Sequence, residues 1–359
     1  MKTFHCDHCG HLIFFENTSC GNCGHGLGYS INLGSMVALE AAGDDLWRGL
    51  GVGLADCFYR KCRNYAYENV CNWMLRQDDP NALCLSCRLT EIVPTLSLPV
   101  NRNYWYRLES AKRRLLYALL TLGLPIIGKN EDPAHGLSFQ FLADMPGDKI
   151  RTGHLNGVIT INIAEADDSV REKLRADMGE PYRTLLGHFR HEIGHYYWEK
   201  LVAHTAWIDP YRQMFGDERN DYAMALQRYH DQGPSPNWRQ QNITAYASAH
   251  SWEDWAETWA HYLHMLDTLE TAYACGMALL PTRLGDPALN PTQENEIAGS
   301  FQHMIDRWFP LTYALNSLNR SLGLPDAYPF ALTTQVIGKL RLVRDVVMAN
   351  RTCDAANPR

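Results

Sequence analysis

The 359-residue chain has no surplus of positive charge: 33 Lys and Arg stand against 40 Asp and Glu, a formal net charge of −7. That balance gives no general attraction to nucleic acid or acidic lipid, so a polyanion is not the expected partner. Long apolar runs are missing as well. The most apolar segment, around Leu115 to Gly128, contains Pro125 and is shorter than the ~20 residues that cross a bilayer. The opening residues, Met1-Lys-Thr-Phe-His-Cys-Asp-His-Cys9, have neither an apolar core nor a cleavage pattern, so the expectation is a cytoplasmic protein without membrane contact. Cysteine is absent from residue 88 to residue 274, although the chain holds 11. Nine of them fall in the first 87 residues and six of those form Cys-x-x-Cys pairs, the pattern of thiolate metal sites in reducing surroundings and not of a disulfide framework.

A chain of this length can hold one medium domain and one or two small modules. Cys6-Asp-His-Cys9-Gly10 and Cys20-Gly-Asn-Cys23-Gly24 are matching knuckles, each presenting two sulfurs to one ion, with His11 to Phe15 reading as a hairpin strand between them. Residues 1–30 therefore read as a zinc ribbon whose metal replaces an apolar core. Four thiolates leave no open position for water, so this zinc is structural. Lys2 is the only Lys or Arg in the segment, which favours docking to protein over contact with phosphate. Residues 31–98 form a second module: a glycine-rich connector over 31–56, then five thiols at Cys57, Cys62, Cys71, Cys84 and Cys87. Cys62, Cys71, Cys84 and Cys87 are taken as a second structural zinc site, and Cys57 as a small buried thiol.

Residues 99–350 have a different texture, with helical periodicity dominant. Tyr104 to Leu124 reads as an amphipathic helix whose Arg107, Lys112, Arg113 and Arg114 form a solvated basic face. Ser138 to Ala143 and Gly157 to Ile163 read as strands. The organising stretch is Gly187 to Trp198, which contains His191-Glu192-x-x-His195. At ~100° per residue the two histidines lie one helical turn apart on one face and can share a metal, while Glu192 is turned aside to take a proton from water. The strand over 157–163 precedes this helix and is expected to offer a cleft edge to an extended substrate. Further on, Glu253-Asp-Trp-Ala-Glu257 repeats the i, i+4 spacing, with Ser251 as the expected helix cap, and Gly233-Pro-Ser-Pro236 marks a loop.

A catalytic zinc takes three protein ligands and leaves one position open. Trp198 and Leu201 occupy the positions where metzincins carry glycine and a third histidine, so that class is excluded. His204 is half a turn out of phase with His195, and His188 is about 10 Å of helix rise away from it. Neither can join the site.

The chain resembles the bacterial zinc-binding metallopeptidase family that carries an N-terminal zinc ribbon. The resemblance rests on the Cys62 to Arg88 block, Thr152-Gly-His-x-x-Gly157, Tyr182 to His195, Glu253 to Glu257 and Asp326-Ala-Tyr-Pro-Phe330. The later half also resembles gluzincins, among them the anthrax toxin lethal factor. That likeness implies Glu253 as the third zinc ligand, Glu257 as acceptor for a ligand histidine, and Tyr246 as a tyrosine beside the metal. The fold implied is α+β: all-cysteine zinc-ribbon modules followed by a mainly helical, gluzincin-like metallopeptidase domain with a small sheet.

Together these readings give a peptide-bond hydrolase with one catalytic zinc on His191, His195 and Glu253, two structural zincs, Glu192 as general base and Tyr246 as oxyanion donor. Its partner is a protein or peptide substrate. Two rivals are a zinc-stapled scaffold with a vestigial site, and a DNA-associated protease using the Arg60-Lys61-x-Arg63 and Lys112-Arg-Arg114 clusters. Between Glu253 and His250, one turn earlier, Glu253 is preferred because the Ser251 cap would leave His250 outside the helix and because Glu257 follows.

Overall fold

A computed structural model describes residues 1–54, 56–145, 147, 149–177, 183–290 and 299–352. Tyr182, part of one shared string, lies outside them. The architecture is α+β and divides into two compact bodies: Lys2–Tyr117 with Ile126–Asp168, and Ala118–Pro125 with Ser169–Thr352.

The first body begins with β1 (Phe4–His5) paired antiparallel to β2 (Leu12–Ile13). Each Cys-x-x-Cys turn is closed by a backbone bond, Gly10 N–H to Cys6 O and Gly24 N–H to Cys20 O, with φ of 72° and 75° at the two glycines. Only glycine adopts that conformation without strain. A five-stranded antiparallel meander follows, in the order β3 (Gly26–Ser30), β4 (Ser35–Ala41), β5 (Leu46–Gly49), β6 (Phe58–Lys61), β7 (Met74–Arg76). The expected irregular connector over 31–56 is thus incorrect. Gly34, Gly43, Gly51 and Gly53 lie in turns and Gly49 ends β5, while Met36, Val37, Ala38 and Leu39 are buried in β4. Short helices α1 (Arg63–Ala66) and α2 (Leu85–Arg88) start immediately after Cys62 and Cys84.

The remaining sheet has the order β10 (Gly153–Leu155), β11 (Val158–Asn162), β9 (Ser138–Leu142), β8 (Thr90–Ile92). β11 is antiparallel to β10 and parallel to β9, so both of its backbone edges are paired. The expectation of a substrate edge on this strand is overturned, since a strand paired on both sides has no free ladder to offer.

Helix α3 (Pro99–Leu122) corrects a second expectation. Lys112 and Arg113 are buried. Lys112 Nζ is 2.9 Å from Glu109 Oε2, and Arg113 donates to Val70 O at 2.6 Å and to Ser110 Oγ at 3.1 Å. Arg107 and Arg114 pair with Asp168 and Glu16 at 3.0 and 2.6 Å. Charged side chains are buried when they are paired, which periodicity alone does not reveal.

The second body is helical: α4 (Asp168–Asp177), α5 (Leu185–Leu201), α6 (Ile208–Phe215), α7 (Tyr222–Gln232), α8 (Trp238–Gln241), α9 (Ser251–Ala274), α10 (Phe301–Ser321) and α11 (Thr334–Ala349). α9 is its centre, with Trp255, Trp259, Leu263 and Leu269 buried. Its closest neighbour is α5. Trp255 Nε1 donates to Gly194 O at 3.0 Å, and Tyr197 stacks on Trp259 with ring centroids 5.1 Å apart. The approach depends on Gly194, where a Cβ would stand 3.0 Å from Ala256 Cα and 3.2 Å from Trp259 Cβ. α11 is tied to α9 by the buried Lys339–Asp254 ion pair. Among the described residues, no helix is long and apolar enough to cross a membrane.

Candidate metal centres and active site

Among the described residues, three clusters of ligand side chains form, each with its donor atoms within 4.8 Å of one another: Cys6, Cys9, Cys20 and Cys23; Cys62, Cys71, Cys84 and Cys87; and His191, His195 and Glu253. Cys57 stands outside both thiol groups and is half-buried, not the buried thiol expected. Sulfur separations are 3.8 Å for Cys6–Cys23, 3.7 Å for Cys9–Cys20 and 3.7 Å for Cys71–Cys84. Those distances are too long for the ~2.05 Å of a disulfide. They match the edge of a tetrahedron, about 3.8 Å, around an ion bound at ~2.3 Å, the zinc–sulfur distance. Backbone amides point at the sulfurs, Cys84 N–H at Cys62 Sγ and Trp73 N–H at Cys71 Sγ, both at 3.4 Å.

The third cluster is built by α5 and α9. Thr184 caps α5, its side chain accepting from Gly187 N–H at 3.0 Å, and apolar Phe189, Ile193 and Tyr197 are buried, leaving His191 and His195 on one face. Their Nε2 atoms are 3.2 Å apart. Glu253 Oε2 lies 2.9 Å from His191 Nε2 and 3.6 Å from His195 Nε2. A tetrahedral zinc with ligands at ~2.05 Å spaces its donors about 3.3 Å apart, so the three atoms fit such an ion. Glu253 Oε2 is buried and faces the two imidazoles. Burial by itself would raise the Glu253 carboxyl, but the two histidines hold it well below the usual range. The acid therefore favours a cation at this point.

Around the cluster, His191 Nδ1 donates to Glu257 Oε1 at 2.6 Å and Thr244 Oγ1 donates to Glu257 Oε2 at 2.6 Å. In the neutral imidazole this leaves Nε2 as the nitrogen with a lone pair, turned to Glu253. Glu192 is buried, and burial raises its carboxyl against the pull of the nearby histidines. Tyr246, in a 3-10 turn over Tyr246–Ser248, has its ring centroid 6.0 Å from that of His191. His188 and His204 are not in the cluster.

The helix cap is not Ser251. His250 caps α9, its Nδ1 accepting from Trp252 N–H at 3.1 Å while its Nε2 donates to Asn220 O at 3.1 Å. An imidazole nitrogen is as able to accept an amide as a serine hydroxyl, and here both of its nitrogens are occupied. Sequence reading also passed over two residues. Tyr222 donates its hydroxyl proton to Glu253 Oε1, and Thr244 orients Glu257. Tyr222 lies 31 residues before Glu253 and Thr244 lies 13 before Glu257, and neither has a helical-spacing relation to the ligand motifs. Trp252 packs on His195 with centroids 4.0 Å apart.

With donor sets for zinc in both the cysteine-rich and the helical regions, the class is a zinc-binding protein of the metallopeptidase type. The chain belongs to the family described as "Putative zinc-binding metallo-peptidase", whose profile matches residues 101–346, and a zinc-ribbon domain profile matches residues 3–98. It is 43% identical over 348 residues to an uncharacterized protein of Mycobacterium bovis and to two of Mycobacterium tuberculosis, covering 97% of this chain and 95% of each relative. No solved structure matches it.

Proposed function

We propose that the protein is a zinc-dependent peptidase of the gluzincin type, hydrolysing peptide bonds in a protein or peptide substrate. One observation carries this reading: His191 Nε2, His195 Nε2 and Glu253 Oε2 converge at 2.9–3.6 Å with the buried carboxyl of Glu192 on the same helix turn. His191, His195 and Glu253 would hold the ion. When bound, zinc polarises the scissile carbonyl and acidifies a water. Glu192 takes the proton of the attacking water and passes it to the departing amine, a task suited to a carboxyl raised by burial. Tyr246 donates to the carbonyl oxygen as negative charge develops there. Glu257, steadied by Thr244, keeps the His191 proton on Nδ1.

The two thiolate clusters each take one structural zinc, making three ions per chain, with modules at 1–30 and 31–98 preceding the peptidase domain over 99–350. A cytoplasmic setting suits so many unpaired thiols. The ribbon serves as a docking module for protein in preference to nucleic acid. In support, Lys61 lies over the rings of Trp47 and Tyr65 at 4.0 and 4.6 Å, and Lys112 and Arg113 are buried, so these three members of the basic clusters are engaged within the protein.

The test compares N-termini generated in a host proteome by the parent and by Glu192→Gln. The variant should keep its zinc and lose about 10² to 10⁴ in rate. Equal cleavage by both proteins would refute the mechanism.

A further inference from the structure

We infer that Tyr222 is a positioning residue of the His-Glu site: its hydroxyl engages Oε1 of Glu253 and so leaves Oε2 alone to face the two imidazoles. The inference rests on the proposed function above and adds a residue 31 positions before the ligand it serves.

The two carboxylate oxygens of Glu253 have different surroundings. Oε1 accepts from Tyr222, whereas Oε2 lies 2.9 and 3.6 Å from the histidine nitrogens. A carboxylate with both oxygens free can bind one ion through both and fill the position a water needs. A donor fixed on one oxygen opposes that. The phenol is well placed to act as this donor. Asp221 caps α7 by accepting Met224 N–H at 2.9 Å, which sets Tyr222 at the first helical position. Its ring meets His250 and Trp252 edge-on, at 5.2 Å and 5.6 Å between centroids. His250 is itself held by Asn220 O, and Trp252 packs on His195. Tyr222 thus belongs to a chain of contacts that returns to the second histidine. It is 37% exposed, so it reaches Glu253 from the solvent side of the site.

Tyr222→Phe keeps the ring and deletes only the hydroxyl. Zinc affinity at this site is measured by competition with a chelator too weak to empty the cysteine sites, and the stripped site is reloaded with cobalt for its visible spectrum. The variant should bind zinc about 10- to 100-fold more weakly, the usual cost of losing a group that orients a ligand. Its cobalt band should weaken per ion, because a carboxylate bound through two oxygens raises the coordination number. With the site stripped, parent and variant should melt together. Unchanged affinity and spectrum overturn the role of Tyr222, as does an equal loss of melting temperature with and without metal, which would mark simple packing. If the parent takes up no metal that His191→Ala abolishes, the proposed site itself fails and this inference with it.

Discussion

Replacing Glu253 or His250 by alanine should separate two arrangements that differ by one helical turn. Glu253 is 1% exposed and its Oε2 is the donor nearest His191 Nε2, at 2.9 Å. On the proposed function its removal deletes one of three ligands. That loss should exceed the 10- to 100-fold drop in affinity that follows removal of a mere supporting residue. Gel-filtered Glu253→Ala should therefore carry two zinc ions where the parent carries three, as should a His191→Ala/His195→Ala double variant. His250 has both nitrogens committed, one to Trp252 N–H and one to Asn220 O. Its alanine variant should keep all three ions and lose a helix cap, about 1 kcal/mol. For a domain of 150–250 residues that is roughly 2–4 °C in Tm. Elemental analysis and thermal melts of the three proteins decide the matter. Zinc lost with His250→Ala and kept with Glu253→Ala would refute the assignment and leave a three-histidine site.

Gly194→Ala should push α5 from α9, because its Cβ would meet Ala256 Cα at 3.0 Å; about 1–3 kcal/mol of stability should be lost, and zinc at the His-Glu site weakened, by melting and chelator competition. Arg113 is buried near Cys71, Cys84 and Cys87, and four thiolates on the proposed second zinc would carry more negative charge than the ion neutralises, so Arg113→Met should release zinc faster from that site to a colorimetric chelator while the first keeps its rate. His261 is buried against Tyr328 and Phe330, and burial lowers its imidazole to about 4, more than neighbouring Glu257 raises it. The unfolded imidazole, at ~6.5, binds a proton first, so this contribution is complete above pH ~6.5 and is lost as pH falls toward 4. It amounts to at most about 3 kcal/mol, and His261→Gln should flatten the fall in Tm across that window.

What could be read from the sequence was local. Cys6-x-x-Cys9 and Cys20-x-x-Cys23 each fix two sulfurs within one turn, and His191/His195 fix one helix face, so these donors declare themselves by spacing, whereas the roles of Glu253 and Glu257 are implied by the resemblance to gluzincins. Tyr222 and Thr244 come to the site only when α7 and the turn before α9 are packed against it, and no window of sequence contains that information. Lys112 looked solvated because charge was read without its partner, although Glu109 stood three residues earlier on the same helix. The cap was misassigned because serine ranks high as a capping residue in general, whereas the imidazole of His250 had the geometry here. The glycines of residues 31–56 suggested irregularity, yet they punctuate strands whose buried residues lie between them.

The helix pair α5 and α9 explains why so polar a site can sit in a core. Each helix gives one stripe to tight apolar packing, Tyr197 on Trp259 and Trp255 on Gly194, and the adjoining stripe to His191, His195, Glu192, Glu253 and Glu257. Buried carboxylates without a compensating cation cost stability. The stripe therefore works against the folded state unless positive charge is supplied between Glu253 and the imidazoles. A proton can supply it, and the pair of carboxylates on His191 raises that imidazole well above its ordinary range despite burial. A divalent ion supplies it better, because it answers Glu253 and both Nε2 atoms at once, leaving the Nδ1 proton of His191 to Glu257. On the proposed function, binding of the ion and packing of α5 on α9 would be two sides of one equilibrium, because the helix that approaches closely at Gly194 also carries His191 and His195.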